Sequence, residues 1–279
     1  MRLDRGADVI VGMTGASGFV GATLTKAIER AGWAVVPLGR REERRYDLDG
    51  PIGEECFRGL DVLVHAAYAP GSDNLRAARA TADAARAAGV GRLVFISTFA
   101  AAPDAASAYA RDKYAAESSF AGPRDIVIRP GLVAGNGGLY GAIRRWILRL
   151  RIAPAFDRGD QPVYLVYDEE LARAIVALLA RDARGTFVLA SGEPIEFRAL
   201  CSAIAGAAGT GVRFVPLPSG PVVRLMRLVE TLGLRLPVSS QTVLGIANLR
   251  RAAVPSYAEI GFSFATPSQT VLRVEDGVV

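Results

Sequence analysis

The chain is 279 residues long, 51% hydrophobic and carries a formal net charge of +5, enough apolar material to bury a substantial core. Two cysteines, Cys56 and Cys201, and a single histidine, His65, leave no zinc-ligand spacing and no disulfide framework, and a serine hydrolase would have to use His65 itself. Lys26 and Lys113 are the only lysines, and the arginines that carry the charge are spread over many helical stretches without interleaved aromatics, which points away from nucleic acid and towards anionic small molecules.

Met1-Arg2-Leu3-Asp4-Arg5 lacks the apolar core of a signal peptide, and no later stretch approaches the roughly 20 apolar residues of a membrane span. A cytoplasmic protein with no integral membrane segment is expected. The first element is a β-branched run, Val9 to Val11, leading into Gly15, Gly18 and Gly21, after which Ala22 to Arg30 reads as a helix stopped at Gly32. Strand, glycine turn and helix in that order suit a pyrophosphate, which is held at a helix N-terminus by N–H groups and the positive end of the dipole. Gly15 allows the tight turn, Gly18 the close approach and Gly21 the packing of helix on strand; Ser17, Phe19 and Val20 complete the cofactor loop.

Ala34 to Leu38 reads as the second strand and ends in Gly39-Arg40-Arg41-Glu42-Glu43. An acidic residue at that place suits the ribose of NAD, whereas arginine suits the 2′-phosphate of NADP, so Arg40 favours NADP with NAD second. Asp61 to Ala67 is a strand closing on Ala66 and Ala67, small residues that leave room for a flat ring; His65 reads as packed or cofactor-adjacent. A helix from Leu75 to Ala88, closed by Gly89, leads to the strand Arg92 to Ile96, which delivers Ser97 and Thr98 at its end. The helix Ala108 to Phe120, the strand Asp125 to Arg129 and the break Pro130-Gly131 continue the alternation that specifies βαβ units and a parallel sheet.

Beyond Leu132 the pattern loosens. Asn136 to Gly138 reads as a turn, Ala142 to Arg149 as a basic amphipathic helix, Val163 to Val166 as a strand, Glu169 to Ala180 as a helix and Thr186 to Leu189 as a strand returning to the sheet. Phe197 to Ala207, Val212 to Val215 and Pro221 to Leu232 would form a smaller lobe. The expected architecture is α/β: a Rossmann-type doubly wound parallel sheet with a small C-terminal substrate-binding lobe. Residues 1–133 with about 162–190 form the nucleotide-binding domain, and about 134–161 with 191–279 the lobe.

Tyr109 and Lys113 lie four residues apart and so share one face of a helix. A free tyrosine titrates near 10, and a neighbouring cation such as Lys113 can lower that by about 1–3 units. Tyr109 could then move a proton at a substrate oxygen held by Ser97 or Thr98 while hydride moves at the adjacent carbon. Arginines 144, 145, 149 and 151 are candidates to meet a substrate pyrophosphate.

Together, Thr14-Gly15-Ala16-Ser17-Gly18-Phe19-Val20-Gly21, Asp47-Leu48, His65-Ala66-Ala67, Ser97-Thr98, Tyr109 to Lys113 and Arg129-Pro130-Gly131 resemble, over about residues 8 to 200, the extended short-chain dehydrogenase/reductase family and its NAD(P)-dependent epimerase/dehydratase group. The resemblance implies Tyr109 as acid/base, Lys113 as ribose and pKa partner and Thr98 as the hydroxyl partner. It implies that Asp47 and Leu48 flank the adenine, that Ala66, Ala67 and Val133 lie along the cofactor with Pro130, and that two helices, Leu75 to Ala88 and Ala108 to Phe120, pair into a homodimer. The chain departs from the family in the short segment before Asp47, in Ala77-Ala78 after the helix asparagine Asn74, in the ten residues between Thr98 and Tyr109, and in Tyr167 with Glu169-Glu170 where the family often has His and paired Asp.

The reading is an NAD(P)-dependent oxidoreductase or epimerase acting on a small molecule at a secondary alcohol or ketone, a nucleotide sugar being one candidate. Its alternatives are a non-catalytic NADP(H)-binding sensor or assembly subunit, and a reductase of a lipid-like substrate at a membrane surface, with Ile143 to Ile152 and Val222 to Leu236 lying on lipid.

Overall fold

The computed structural model describes residues 9–231, 239–250, 254 and 262–277. The leader reading of residues 1–5, Leu232 of the expected helix and residues 232–236 of the stretch ending at Leu236 lie outside them.

In chain order the elements are β1 (Ile10–Thr14), α1 (Phe19–Arg30), β2 (Ala34–Gly39), β3 (Arg44–Arg45), β4 (Val62–His65), α2 (Asn74–Ala87), β5 (Arg92–Ile96), α3 (Ala108–Glu117), β6 (Ile126–Pro130), β7 (Leu132–Ala134), α4 (Gly138–Leu150), β8 (Ile152–Phe156), β9 (Pro162–Val163), β10 (Leu165–Tyr167), α5 (Asp168–Ala180), β11 (Gly185–Leu189), β12 (Ile195–Glu196), α6 (Phe197–Ala207), β13 (Arg213–Leu217), α7 (Ser219–Thr231), α8 (Ser240–Ala247) and α9 (Pro267–Asp276). They divide into two compact units. The first takes the described residues up to Ala101 with Asp112–Pro130 and Asp168–Leu189; the second takes Ala102–Arg111, Gly131–Tyr167 and the described residues from Ala190 onward.

The first unit is built on a seven-stranded sheet in the order β11-β6-β5-β4-β1-β2-β3, every ladder of which is parallel. Helices cover both faces of such a sheet, so its central strands are mostly apolar, with Thr14, His65 and Arg92 as buried polar residues at their ends. All of β4 and β5 is buried accordingly. The chain winds outward from β1 through β2 to β3, then returns to β4 and winds the other way. The reversal lies between β1 and β4, where a doubly wound sheet opens a crevice at its carboxyl edge. Thr14 pairs with Leu38 on one side and His65 on the other, so the glycine loop after β1 and Ala66-Ala67 after β4 meet at that crevice.

Thr186 to Leu189 returns to this sheet as β11, beside β6. The charged run after β2 is more ordered than its composition suggests: Glu42 and Tyr46 both send their N–H to the Gly39 carbonyl, and Arg44–Arg45 adds an edge strand. On α2, Asp73 caps the first turn by accepting from Arg76 N at 3.0 Å, and Gly89 at φ 83° follows its end. Phe57, Leu63, Leu93, Phe95 and Phe120 make the core of this unit.

In the second unit β7 pairs with β10 and β13 with β8, both in parallel. Phe197, Leu200, Cys201 and Ile204 of α6 pack with Tyr140, Ile147, Val271 and Val274 in its core. Burial pushes the Cys201 thiol up to about 12, leaving it an inert packing group. No helix among the described residues is long and apolar enough to cross a membrane.

Candidate active site

The glycine turn is built as close backbone contact requires. Gly15 has φ +74°, and a Cβ there would lie 2.8 Å from Ala67 N and 2.9 Å from Ala66 C. A Cβ on Gly21 would run into the Gly15 carbonyl oxygen, and one on Gly18 would stand 3.2 Å from it. Gly18 donates its N–H to Gly15 O at 3.0 Å, closing the turn. It then caps α1 with no side chain to take the first-turn N–H groups. Ser17 is exposed, while Phe19 and Val20 are half-buried. A backbone lip without side chains, backed by a helix N-terminus, fits the pyrophosphate of a dinucleotide.

Thr14 ties the loop after β4 to β1. Its Oγ1 accepts from Ala67 N at 3.3 Å and lies 2.9 Å from His65 Nδ1. Either atom can supply the hydrogen of the Thr14–His65 bond, since the hydroxyl oxygen has a second lone pair beside the one that takes Ala67 N–H. His65 lies nearly parallel to the rings of Phe95 and Phe120, 5.8 Å from each, while those two rings stack on one another at 4.6 Å. Burial, with Lys113 adding to it, holds its pKa down to about 3, so it is a neutral packing residue that orders Thr14. Asn74 braces the same loop, accepting from Ala69 N at 3.0 Å and donating to Ala69 O at 2.8 Å.

At the ends of β5 and β6 the first unit gathers Lys113, Ser97 and Glu117. Lys113 is buried and donates from Nζ to the Ile96 carbonyl at 2.8 Å. Its ammonium stands 4.6 Å from the centroid of Phe95 and 5.8 Å from that of Tyr68. Burial lowers its pKa to about 8 against the opposing field of Glu117, so the ammonium persists at neutral pH. Ser97 is turned inward, donating to Glu117 Oε1 at 2.6 Å. Thr98 is half-buried at the strand's mouth, where its carbonyl accepts from Ala101 N. Tyr109 is the second residue of α3, one turn before Lys113. The 3-10 turn Ser118–Phe120 finishes the stretch that the sequence reads as one helix.

Arg40 is exposed at the turn after β2. Asp47, half-buried, accepts from Asp49 N at 3.2 Å, and the Leu48 carbonyl accepts from Arg76 Nη2 at 2.5 Å. Pro130 ends β6, its carbonyl accepting from Phe99 N at 2.9 Å. Val133 lies in β7 of the second unit, half-buried. Two residues that matter to this arrangement escaped sequence reasoning, Glu117 and Tyr68, and Arg129 was read only as part of Arg129-Pro130-Gly131. Glu117 pairs with Arg129 and the Tyr68 ring stands against Lys113; the signal for Glu117 was its place four residues beyond Lys113.

A model of the NAD dependent epimerase/dehydratase family matches residues 11–190. The ceramide reductase of Caulobacter vibrioides (strain NA1000 / CB15N) is 29% identical over 196 residues, 60% of this chain, and the match spans 60% of that relative's length. Of solved structures, a human epimerase family protein with NADPH superposes with a TM-score of 0.74 at 18% identity, over 96% of this chain and 99% of that one. The UDP-N-acetylglucosamine 4-epimerase from Bacillus cereus superposes at 0.68 and 17%, over 96% of each chain; at such identities the likeness is one of fold. With the family match spanning well over half of its length, the chain belongs to the NAD dependent epimerase/dehydratase family.

Proposed function

We propose that the chain is an NADP(H)-dependent oxidoreductase acting at a secondary alcohol or ketone, with NAD(H) as the second choice of cofactor. The observation that carries this is the placing of Lys113, four residues after Tyr109: a buried ammonium bonded to the carbonyl of Ile96, which is two residues before Thr98. When bound, a nicotinamide supplies or accepts the hydride at the carbinol carbon. Tyr109 gives its phenolic proton to the substrate oxygen in reduction and takes it back in oxidation. Lys113 stabilises the phenolate through its charge. Thr98 donates a hydrogen bond to the same oxygen, whereas Ser97 serves by holding Glu117. Gly15, Ser17, Gly18, Phe19, Val20 and Gly21 cradle the pyrophosphate; Asp47 and Leu48 border the adenine; Ala66, Ala67, Pro130 and Val133 line the remainder. The smaller lobe, about 134–161 and 191–279, covers the substrate, and a two-fold pair formed through α2 and α3 is the expected assembly.

For the substrate we prefer a lipid-like ketone to a nucleotide sugar. Of the four arginines named for a sugar's pyrophosphate, Arg144 is held by both oxygens of Glu275 at 2.7 Å, while Arg145, Arg149 and Arg151 are exposed. The relative at 29% identity, moreover, is named a ceramide reductase.

The test is a fluorescence titration with NADPH and NADH on wild type and Arg40→Ala, followed by turnover of ketone-bearing sphingolipids and of UDP-sugars, with Tyr109→Phe as control. The expected result is an NADPH preference lost in Arg40→Ala, with lipid turnover lowered about 10²- to 10⁴-fold in Tyr109→Phe. Nucleotide binding with no turnover of either class would favour the sensor, and binding of neither nucleotide would overturn the proposal.

A further inference from the structure

Large apolar side chains of the second unit stand in water on two helices. On α7, Leu225 is 63% exposed and Leu228 59%. With Pro221 they recur at i, i+4 and i+7 and form one strip. Arg224 and Arg227, both exposed, border it. Val223, on the opposite face, is buried in the unit's core. The helix has one acidic residue, Glu230, and its carboxylate is engaged with α8, accepting from the N–H and hydroxyl of Ser240 at 2.7 and 2.6 Å.

Helix α4 repeats the arrangement. Trp146 and Leu150 are exposed four residues apart, Arg145 and Arg149 stand exposed beside them, and Tyr140 and Ile147 are buried on the other side. No acidic residue occurs in α4.

Each helix thus offers two things side by side: apolar surface that gains by leaving water, and guanidinium groups that attract anions. A second copy of the chain would set arginine against arginine across a two-fold axis. Nucleic acid brings phosphates and nothing for the leucines. An anionic bilayer meets both needs, with phosphates at the level of the arginines, acyl chains beneath them, and an interface that suits tryptophan. We propose that α7 is a docking surface for anionic phospholipid and that α4 offers a second one of the same chemistry. The proposal stands on exposure and charge, and vesicle binding needs no turnover, so its failure would leave the catalytic reading untouched.

The test is sedimentation of the purified 279-residue chain with vesicles of phosphatidylcholine and phosphatidylglycerol in equal parts, and with phosphatidylcholine alone. The mixed vesicles are expected to carry the chain down at low salt, the neutral ones not, and added salt to release it. Two double variants, Leu225→Ser with Leu228→Ser and Arg224→Gln with Arg227→Gln, are each expected to weaken binding about ten-fold or more. A second readout needs no variant. Trp33 is only 2% exposed, so a blue shift of tryptophan emission on mixed vesicles reports Trp146 entering the interface. Equal binding to both vesicle types, binding undiminished in both double variants, or neither sedimentation nor blue shift would overturn the proposal. So would a concentration-dependent dimer, lost in the leucine variant and blind to vesicles, which would give the face to a second copy.

Discussion

Arg129, on β6, lays its guanidinium along both oxygens of Glu117, the last residue of α3, with Nε–Oε1 at 2.9 Å and Nη2–Oε2 at 2.5 Å. With Ser97 on Oε1, one carboxylate joins the ends of two strands to the helix that carries Lys113. Removing the guanidinium would leave a mostly buried charge with a single hydroxyl. Arg129→Met is expected to destabilise the chain by about 2–4 kcal/mol in urea unfolding, discounted for the pair's partial exposure, and Glu117→Gln by less. Equal costs for the two would sink the idea of a stranded charge.

Lys113 is expected to give the folding equilibrium a signature in alkali. Its folded pKa of about 8 lies below the ordinary 10.5, so between those values the unfolded chain holds a proton that the folded chain has shed. Its contribution therefore raises stability with pH through that window, by up to about 1.4 kcal/mol per pH unit. Unfolding titrations of wild type and Lys113→Met measure it; a slope that survives in the variant would assign it elsewhere.

His65 acts in acid by the same reasoning. Its pKa falls from 6.5 to about 3 in the folded chain, so the unfolded state takes the proton first and stability is lost as pH drops through that interval. As the sole histidine of the chain, its ring signals can be followed by NMR without ambiguity. They are expected to stay those of a neutral imidazole until the protein unfolds, and a reversible titration near 6.5 in the folded protein would contradict this.

Gly21→Ala places a methyl against the Gly15 carbonyl. Backbone must move to admit it, so nucleotide affinity is expected to fall by at least about ten-fold, with a loss of about 1–3 kcal/mol in stability. Gly32→Ala, where nothing lies within 4 Å of the added carbon but φ is +87°, is expected to cost stability with affinity unchanged. Affinity falling alike in both would remove the steric argument.

The sheet was legible in the sequence because its period was plain: apolar β-branched runs, each followed by a helix and a glycine stop, imply parallel strands buried on both faces. The second unit was less so. Strand β8 contains Pro154 and β13 contains Pro216, and proline argues against a strand wherever its missing N–H would be needed. Helix α9 carried a readable start that went unread: Thr266 accepts from Gln269 N while Gln269 returns a bond to Thr266 N, and Pro267 fills the first helical position. At the site, motif spacing placed the glycines and the Tyr109–Lys113 step. It was silent on the inward turn of Ser97, because side-chain direction at a strand's end depends on what packs beneath it, here Glu117.

The burial of Lys113 also provides a chemical clock. Amine-acylating reagents meet two lysine side chains in this chain. Lys26 is exposed on α1 and is modified at the reagent's own rate, whereas Lys113, bonded to the Ile96 carbonyl beneath Phe95 and Tyr68, is modified only as often as the edge of the sheet opens. The ratio of the two rates, read peptide by peptide in one mass spectrum, measures the breathing of the carboxyl edge, with the exposed lysine as its internal standard.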